Sequence, residues 1–234
     1  MNHDGREVKG INIDMSSLKD HWDKRWKRVS YSNNSIIKLI DEKSTTECWR
    51  IYLQLLEEIA LQEPKILELG SGSGRMSIQL LKKFGGSATL VDYSLPAIEV
   101  AKSNAIKAGV DKNVEFVNGD VFTLDRKREY DLVHSAGLIE HFSSERRDEI
   151  IRKHSSFACM EGYVIIMVPT KTWWYSIGRS ILQSIGIWPQ DFEVPLNGNE
   201  LTELANRNLL TVKKTIESKG LARASAIIAS PIII

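Results

Sequence analysis

Glu68-Leu69-Gly70-Ser71-Gly72-Ser73-Gly74-Arg75 is the stretch that decides the fold. It closes an apolar, strand-like run, Lys65–Leu69, and opens directly into a segment, Met76–Phe84, whose apolar residues recur at helical spacing. A strand, a glycine turn and a helix in that order form the start of a nucleotide-binding α/β unit. Glycines at 70, 72 and 74 remove the β-carbons that would hold a ligand away from the strand ends. A dinucleotide fingerprint places its third glycine three residues after the second, where this chain has Arg75, so the spacing disfavours a nicotinamide-type dehydrogenase. Gly74 gives G-x-G-x-G instead. An adenosyl sulfonium ligand brings no phosphate to the helix N-terminus but a methionine amine and carboxylate, and Glu68 is placed to attract the amine.

Working outward, apolar runs at Ala88–Asp92, Val114–Val117, Tyr130–His134 and Tyr163–Val168 alternate with helical patterns at Pro96–Ala108 and Glu145–Ala158. The expectation is a doubly wound α/β fold with a mostly parallel sheet and helices on both faces, its core running from about Pro64 to Pro169. After Pro169 the alternation stops, in a segment rich in aromatics. A short helix is expected near Glu200–Asn206, then two strand-like runs, Thr211–Ser218 and Arg223–Ser230, turning at Lys219-Gly220 as an antiparallel hairpin that Pro231 ends. Before the core, Met15–Lys27 and Cys48–Ala60 read as helices. The division expected is a helical cap over residues 1–60 and a Rossmann-like domain over 61–234 with a cap insertion at about 170–198. All six tryptophans lie in the flanks, which suits a lid with an apolar inner wall.

Each later strand ends in a residue suited to the same ligand. Asp92 can accept hydrogen bonds from ribose hydroxyls, with Tyr93 flanking an adenine face. In Asn118-Gly119-Asp120-Val121, Asp120 can accept from an exocyclic amine while Val121 or Phe122 lines the ring. The cofactor set is therefore Glu68, Gly70, Ser71, Gly72, Gly74, Asp92, Tyr93, Asp120 and Val121, with Ser135 at the end of the fourth strand. The runs E-L-G-S-G-S-G, V-D-Y and N-G-D-V resemble those of class I S-adenosylmethionine-dependent methyltransferases, over about Lys65 to Val168. That resemblance implies a seven-stranded sheet with an antiparallel last strand, S-adenosylmethionine as cofactor, and an acceptor bound above the strand carboxyl ends.

Methyl transfer is an in-line displacement that asks the protein mainly for alignment, exclusion of water and, for a protonated acceptor, a base. Ser135-Ala136-Gly137-Leu138-Ile139-Glu140-His141-Phe142 supplies one: His141 to take the proton, Glu140 to orient it or bind a cationic acceptor. Trp22, Trp26, Trp173 and Trp174 are the expected substrate-binding rings. Methylases of nucleic-acid base amines resemble one another in a Pro-Pro-aromatic loop that Ser135-Ala136-Gly137 does not match, and the carboxylate cluster of metal-dependent catechol-type enzymes is missing. Cys159, placed at a buried helix end, does not suit a thiolate nucleophile.

Composition bounds the rest. The 31 basic residues nearly cancel 30 acidic ones, giving no global field to draw the molecule onto nucleic acid, although Lys24-Arg25-Trp26-Lys27-Arg28 and Arg126-Lys127-Arg128 are local basic runs. Two distant cysteines, Cys48 and Cys159, give neither a disulfide frame nor a zinc site. No metal is expected. The polar start of the chain and the lack of a long apolar run point to the cytoplasm, with no integral membrane segment. The expectation is a monomeric or homodimeric methyltransferase acting on an apolar or aromatic small molecule. The alternatives are a non-catalytic cofactor-binding relative (a sensor or assembly subunit) and an RNA or protein methyltransferase.

Overall fold

The computed structural model describes residues 15–31, 35–170, 193–218 and 224–232. Its element order is α1 (Met15–Tyr31), α2 (Ser35–Leu55), β1 (Lys65–Leu69), α3 (Arg75–Phe84), β2 (Ser87–Asp92), α4 (Leu95–Ala108), β3 (Val114–Asn118), β4 (Tyr130–Ala136), α5 (Ser144–Phe157), β5 (Ala158–Pro169), α6 (Gly198–Asn206), β6 (Leu210–Glu217) and β7 (Ala224–Pro231). The strands form one seven-stranded sheet in the order β3-β2-β1-β4-β5-β7-β6. The first five run parallel, and β7 inserts antiparallel between β5 and β6.

The inner strands are mostly apolar on both faces because both faces are covered. Consecutive residues then divide between two cores. Ile66, Leu132, Ile165 and Ile228 pack with Ile51, Leu55, Met76 and Leu80 of α2 and α3. Leu67, Val133, Ile166 and Ile227 pack on the other side with Ile150, Ile151, Leu201 and Leu204 of α5 and α6. Strand β6 alternates buried and exposed positions and puts Lys213 and Lys214 on the sheet edge, charges that discourage further strand pairing. A capping box starts α6: the Asn197 side chain accepts from Glu200 N while the Glu200 carboxylate accepts from Asn197 N. No helix among the described residues is long and apolar enough to cross a membrane.

Three boundaries differ from expectation. Helix α2 starts at Ser35, not Cys48, and stops at Leu55, after which the chain drops toward β1 with Ile59 and Leu61 packed on the core. Helix α1 runs on to Tyr31. Strand β5 begins at Ala158, so Cys159 sits in a strand and not at a helix end. Its half-buried thiol lies 3.8 Å from Asp131 Oδ1, and burial, with the neighbouring carboxylate, pushes it up, away from the thiolate form. Lys219-Gly220, the expected hairpin turn, lies outside the described residues, as do Trp173, Trp174 and the rest of the aromatic segment 171–192.

Candidate active site

The strand order reverses between β1 and β4, one leading away toward β3 and the other toward β5, and the chain leaves a crevice above the carboxyl ends at that switch point. A cavity of about 410 Å³ occupies it, a size suited to a small organic ligand. Its floor is the glycine loop. Gly70, Gly72 and Gly74 have φ of 66°, 50° and 68°, a left-handed conformation that side chains resist. Gly70 and Gly72 line the cavity. Gly74 does not: a β-carbon there would lie 2.4 Å from Leu90 Cδ2, so this glycine, expected at the cofactor, lets α3 pack tightly on β2 and α4.

Asp92 braces that loop. Its Oδ2 accepts from Gly72 N at 2.8 Å and its Oδ1 from Ser94 N at 2.9 Å. Burial pushes its carboxyl up, opposed by those two amides. Each oxygen keeps a lone pair for a ligand hydroxyl. From the next strand, Asn118 Nδ2 and Gly119 N both donate to the Asp92 carbonyl, which ties β3's end to β2's. Asp120 Oδ1 accepts from Phe122 N at 2.9 Å, closing the turn that presents Asp120 and Val121 to the cavity, beside Tyr93. Ser71 also lines it, with a buried hydroxyl that has no protein partner, a donor left for a ligand.

Glu68 reaches the same cavity from beneath, held by a chain that the sequence did not disclose. Ser77 Oγ donates to Glu68 Oε2 at 2.7 Å, His134 Nε2 lies 3.0 Å from Ser77 Oγ, and Tyr52 Oη lies 3.0 Å from His134 Nδ1. With the Ser77 proton on Glu68, His134 donates from Nε2 and accepts the Tyr52 proton at Nδ1, so every group is paired. All four side chains are buried. Burial holds His134 neutral, down to about 3, and raises Glu68 to about 8. The sequence shows His134 in a strand-like run, but only the structure sets it in register with Glu68 across β1 and β4. Its neighbour Ser135 faces the opposite way, fully buried, its Oγ 3.0 Å from His154 Nε2. Ser135 thus does not line the crevice as expected, because adjacent strand residues point to opposite faces.

Beyond β4, Gly137 (φ 77°) turns the chain, and a 3-10 turn, Ile139–His141, carries the pair expected to do chemistry. Arg147 of α5 holds that turn by its main chain, Nε to Ile139 O at 3.0 Å and Nη2 to Glu140 O at 3.3 Å. Glu140 and His141 both face the cavity. Their side chains stand 3.6 Å apart, too far for a hydrogen bond, so Glu140 does not orient His141 in the way its position suggested. The edge of Trp22 does, at a ring separation of 5.0 Å. Burial foremost, with the charge of Glu193, raises Glu140 to about 8.

The roof comes from α1 and α2. Trp26 lies directly on the glycine loop, its Cζ2 2.6 Å from where a Gly72 β-carbon would be. Trp22 carries Arg25 over its ring at 4.7 Å. From α2, Thr45 Oγ1 accepts from Arg75 Nη1 at 3.0 Å, which fastens the roof to the start of α3, and Cys48 completes the wall. Arg25, Thr45, Cys48, Leu138, Met167 and Glu193 line the cavity with no prior sign in the sequence. Among the described residues, no group of His, Cys, Asp or Glu is arranged to hold a metal ion.

This floor, with acids at successive strand ends below a capped crevice, defines a class I, Rossmann-like methyltransferase fold. Residues 66–160 match the family model of the methyltransferase domain. The chain is 30% identical over 132 residues to a bifunctional methyltransferase of Rickettsia typhi, covering 53% of this chain and 26% of that protein. It is 26% identical over 144 residues to a ubiquinone biosynthesis O-methyltransferase of Nitrosomonas europaea, covering 60% and 55%. The chain therefore spans only part of the curated relatives it matches. Among solved structures, a 1,6-didemethyltoxoflavin-N1-methyltransferase of Burkholderia thailandensis, with S-adenosylhomocysteine and its acceptor bound, superposes with TM-score 0.69 at 17% identity, over 94% of this chain and 92% of that one. Magnesium protoporphyrin IX methyltransferase of Synechocystis, with S-adenosylhomocysteine bound, gives TM-score 0.68 at 19% identity, over 92% and 99%. At these identities the likeness speaks for the fold.

Proposed function

We propose that the chain transfers the methyl group of S-adenosylmethionine to a small molecule, with residues 1–60 serving as the lid. The observation that carries this reading is the convergence of the glycine loop, Asp92, Asp120, Glu68 and the Glu140-His141 turn on one cavity. The donor set fits an adenosyl sulfonium. Asp92 offers lone pairs to a ribose, Asp120 and Val121 an acceptor and an apolar wall to a base, Glu68 a carboxylate to an ammonium, and Ser71 an unpaired hydroxyl. When bound, the cofactor supplies an electrophilic methyl on a sulfonium whose departing thioether is neutral.

The protein's own residues do the rest. Trp22 and Trp26 keep water from the cavity and confine the acceptor to one line of approach. The His141 imidazole would take the proton that an oxygen or nitrogen acceptor gives up as it is methylated. Calorimetric titration with S-adenosylhomocysteine, followed by incubation of a metabolite extract with methyl-labelled cofactor, tests this. Saturable binding and a labelled small product are expected; no binding heat ends the proposal, and binding without transfer leaves a cofactor-binding module in its place.

A further inference from the structure

Glu140 is an anomaly that cofactor binding leaves unexplained. Its side chain is almost fully buried yet lines the cavity, and its Oε2 has no hydrogen-bond partner. A buried carboxyl oxygen left unpaired is costly, so native structures place one where a ligand completes it. The nearest guanidinium does not answer: Arg147 spends its N–H groups on the carbonyls of Ile139, Glu140 and Val194. Arg25 is held over the Trp22 ring. Glu193 adds a second carboxylate to the same lining, fastened beside Glu140 through Val194 N, which donates to the Glu140 carbonyl at 2.9 Å. The bare Gly137 leaves the carboxyl room, since a β-carbon there would come within 3.3 Å of Glu140 Oε1.

Around this carboxyl stand Trp22, Phe142 and His141, ring walls that favour a flat molecule. We infer that Glu140 selects the acceptor, receiving an N–H or O–H group of a flat ring compound and rejecting acceptors that present a carboxylate there. The inference rests on the methyl-transfer reading and narrows it to amines and phenol-type hydroxyls. An ammonium or hydroxyl completes Oε2, whether the carboxyl is ionised or protonated when alone. Once Glu140 is ionised, above about pH 8, a ligand carboxylate finds no donor at Oε2 and meets a like charge there.

The test, run at about pH 9 so that Glu140 is ionised, uses the full chain saturated with S-adenosylhomocysteine, whose affinity is measured first by calorimetry, and three probes of matched size: benzylamine, phenol and benzoate. Binding is read from ligand-observed saturation transfer. Benzylamine and phenol should bind at least tenfold tighter than benzoate, and Glu140→Gln should narrow that gap to less than threefold while cofactor-product affinity stays within twofold. Benzoate binding as well as the other two, a gap untouched by Glu140→Gln, or no binding of benzylamine and phenol to the saturated protein overturns the inference. Should Glu140→Gln fail to fold, the wild-type ranking still decides. Failure to bind S-adenosylhomocysteine at all would instead sink the underlying reading.

Discussion

The floor and the roof of the cavity are built by different means. Below, main-chain N–H groups fix what faces the ligand: Gly72 N and Ser94 N donate to the Asp92 carboxylate, Phe122 N to the Asp120 carboxylate and Gly137 N to the Met167 carbonyl. Above, α1 and α2 are held by side chains: Trp22 against His141, Trp26 on Gly72, Thr45 to Arg75, Lys19 paired with Asp23 one turn along α1. Main-chain donors are held in place by the chain's own course at the strand ends. Side-chain contacts between surface elements are separable, each of modest strength. The floor is thus suited to hold a ligand, the roof to open for it.

The sharpest way to break that contrast is Asp92→Ala. It removes the acceptor offered to a ribose and the brace on both Gly72 N and Ser94 N. The expected loss is more than 100-fold in S-adenosylhomocysteine affinity by calorimetry, about 3 kcal/mol. Affinity within threefold of wild type would mean that the loop is not the binding floor.

Next comes Glu68, where the sign can be worked out. Burial raises its carboxyl to about 8, so at lower pH the ligand-free site holds it protonated, and a cofactor ammonium must displace that proton. Wild-type affinity should therefore rise about 50-fold between pH 6 and pH 8. Glu68→Gln should give weaker binding with no such rise, and proton release in buffers of different ionisation enthalpy should vanish with it. A pH dependence that survives the substitution refutes the assignment of Glu68 to the ammonium.

How much of this was legible follows the same division. Lys65–Leu69 and the other inner strands announce themselves because a strand covered on both faces is mostly apolar. The glycine spacing and the acids after successive strands are local features, and the sheet topology alone brings them together. What stayed hidden depends on direction or distance. Periodicity cannot say that His134 turns toward Tyr52 and Ser77 while Ser135 turns toward His154, nor that Tyr52 and His134, 82 residues apart, share a proton. Gly74 looked like a third ligand-facing glycine because its sequence context matches the other two; only Leu90 beneath it reveals a packing role. The start of α2 was missed because the polar run 41–47 separates the apolar residues Ile36, Ile37, Leu39 and Ile40 from Ile51 and Leu55.

Tyr52→Phe asks whether the roof reaches the floor through the buried chain. Losing the hydroxyl leaves His134 Nδ1 without its donor and loosens the set of protons that fixes Ser77 on Glu68. The expected effects are a stability loss of about 1–3 kcal/mol in denaturant titration and a threefold to fivefold loss of S-adenosylhomocysteine affinity. A stability loss with unchanged affinity would confine the chain to a structural role, since an unsatisfied buried nitrogen is costly wherever it lies.

Trp26→Ala carries the smallest expected effect on affinity and the strongest test of the contrast. The indole covers Gly72 by ring contact, and Asp92 would still brace the floor in its absence. Equilibrium affinity for S-adenosylhomocysteine should stay within twofold, while stopped-flow association and dissociation should both quicken, because a cover removed from a preformed floor lowers the barrier in each direction equally. Turnover with any acceptor found should fall about tenfold through loss of water exclusion and alignment. If affinity instead collapses as it does for Asp92→Ala, the indole belongs to the binding floor and the two regions are one.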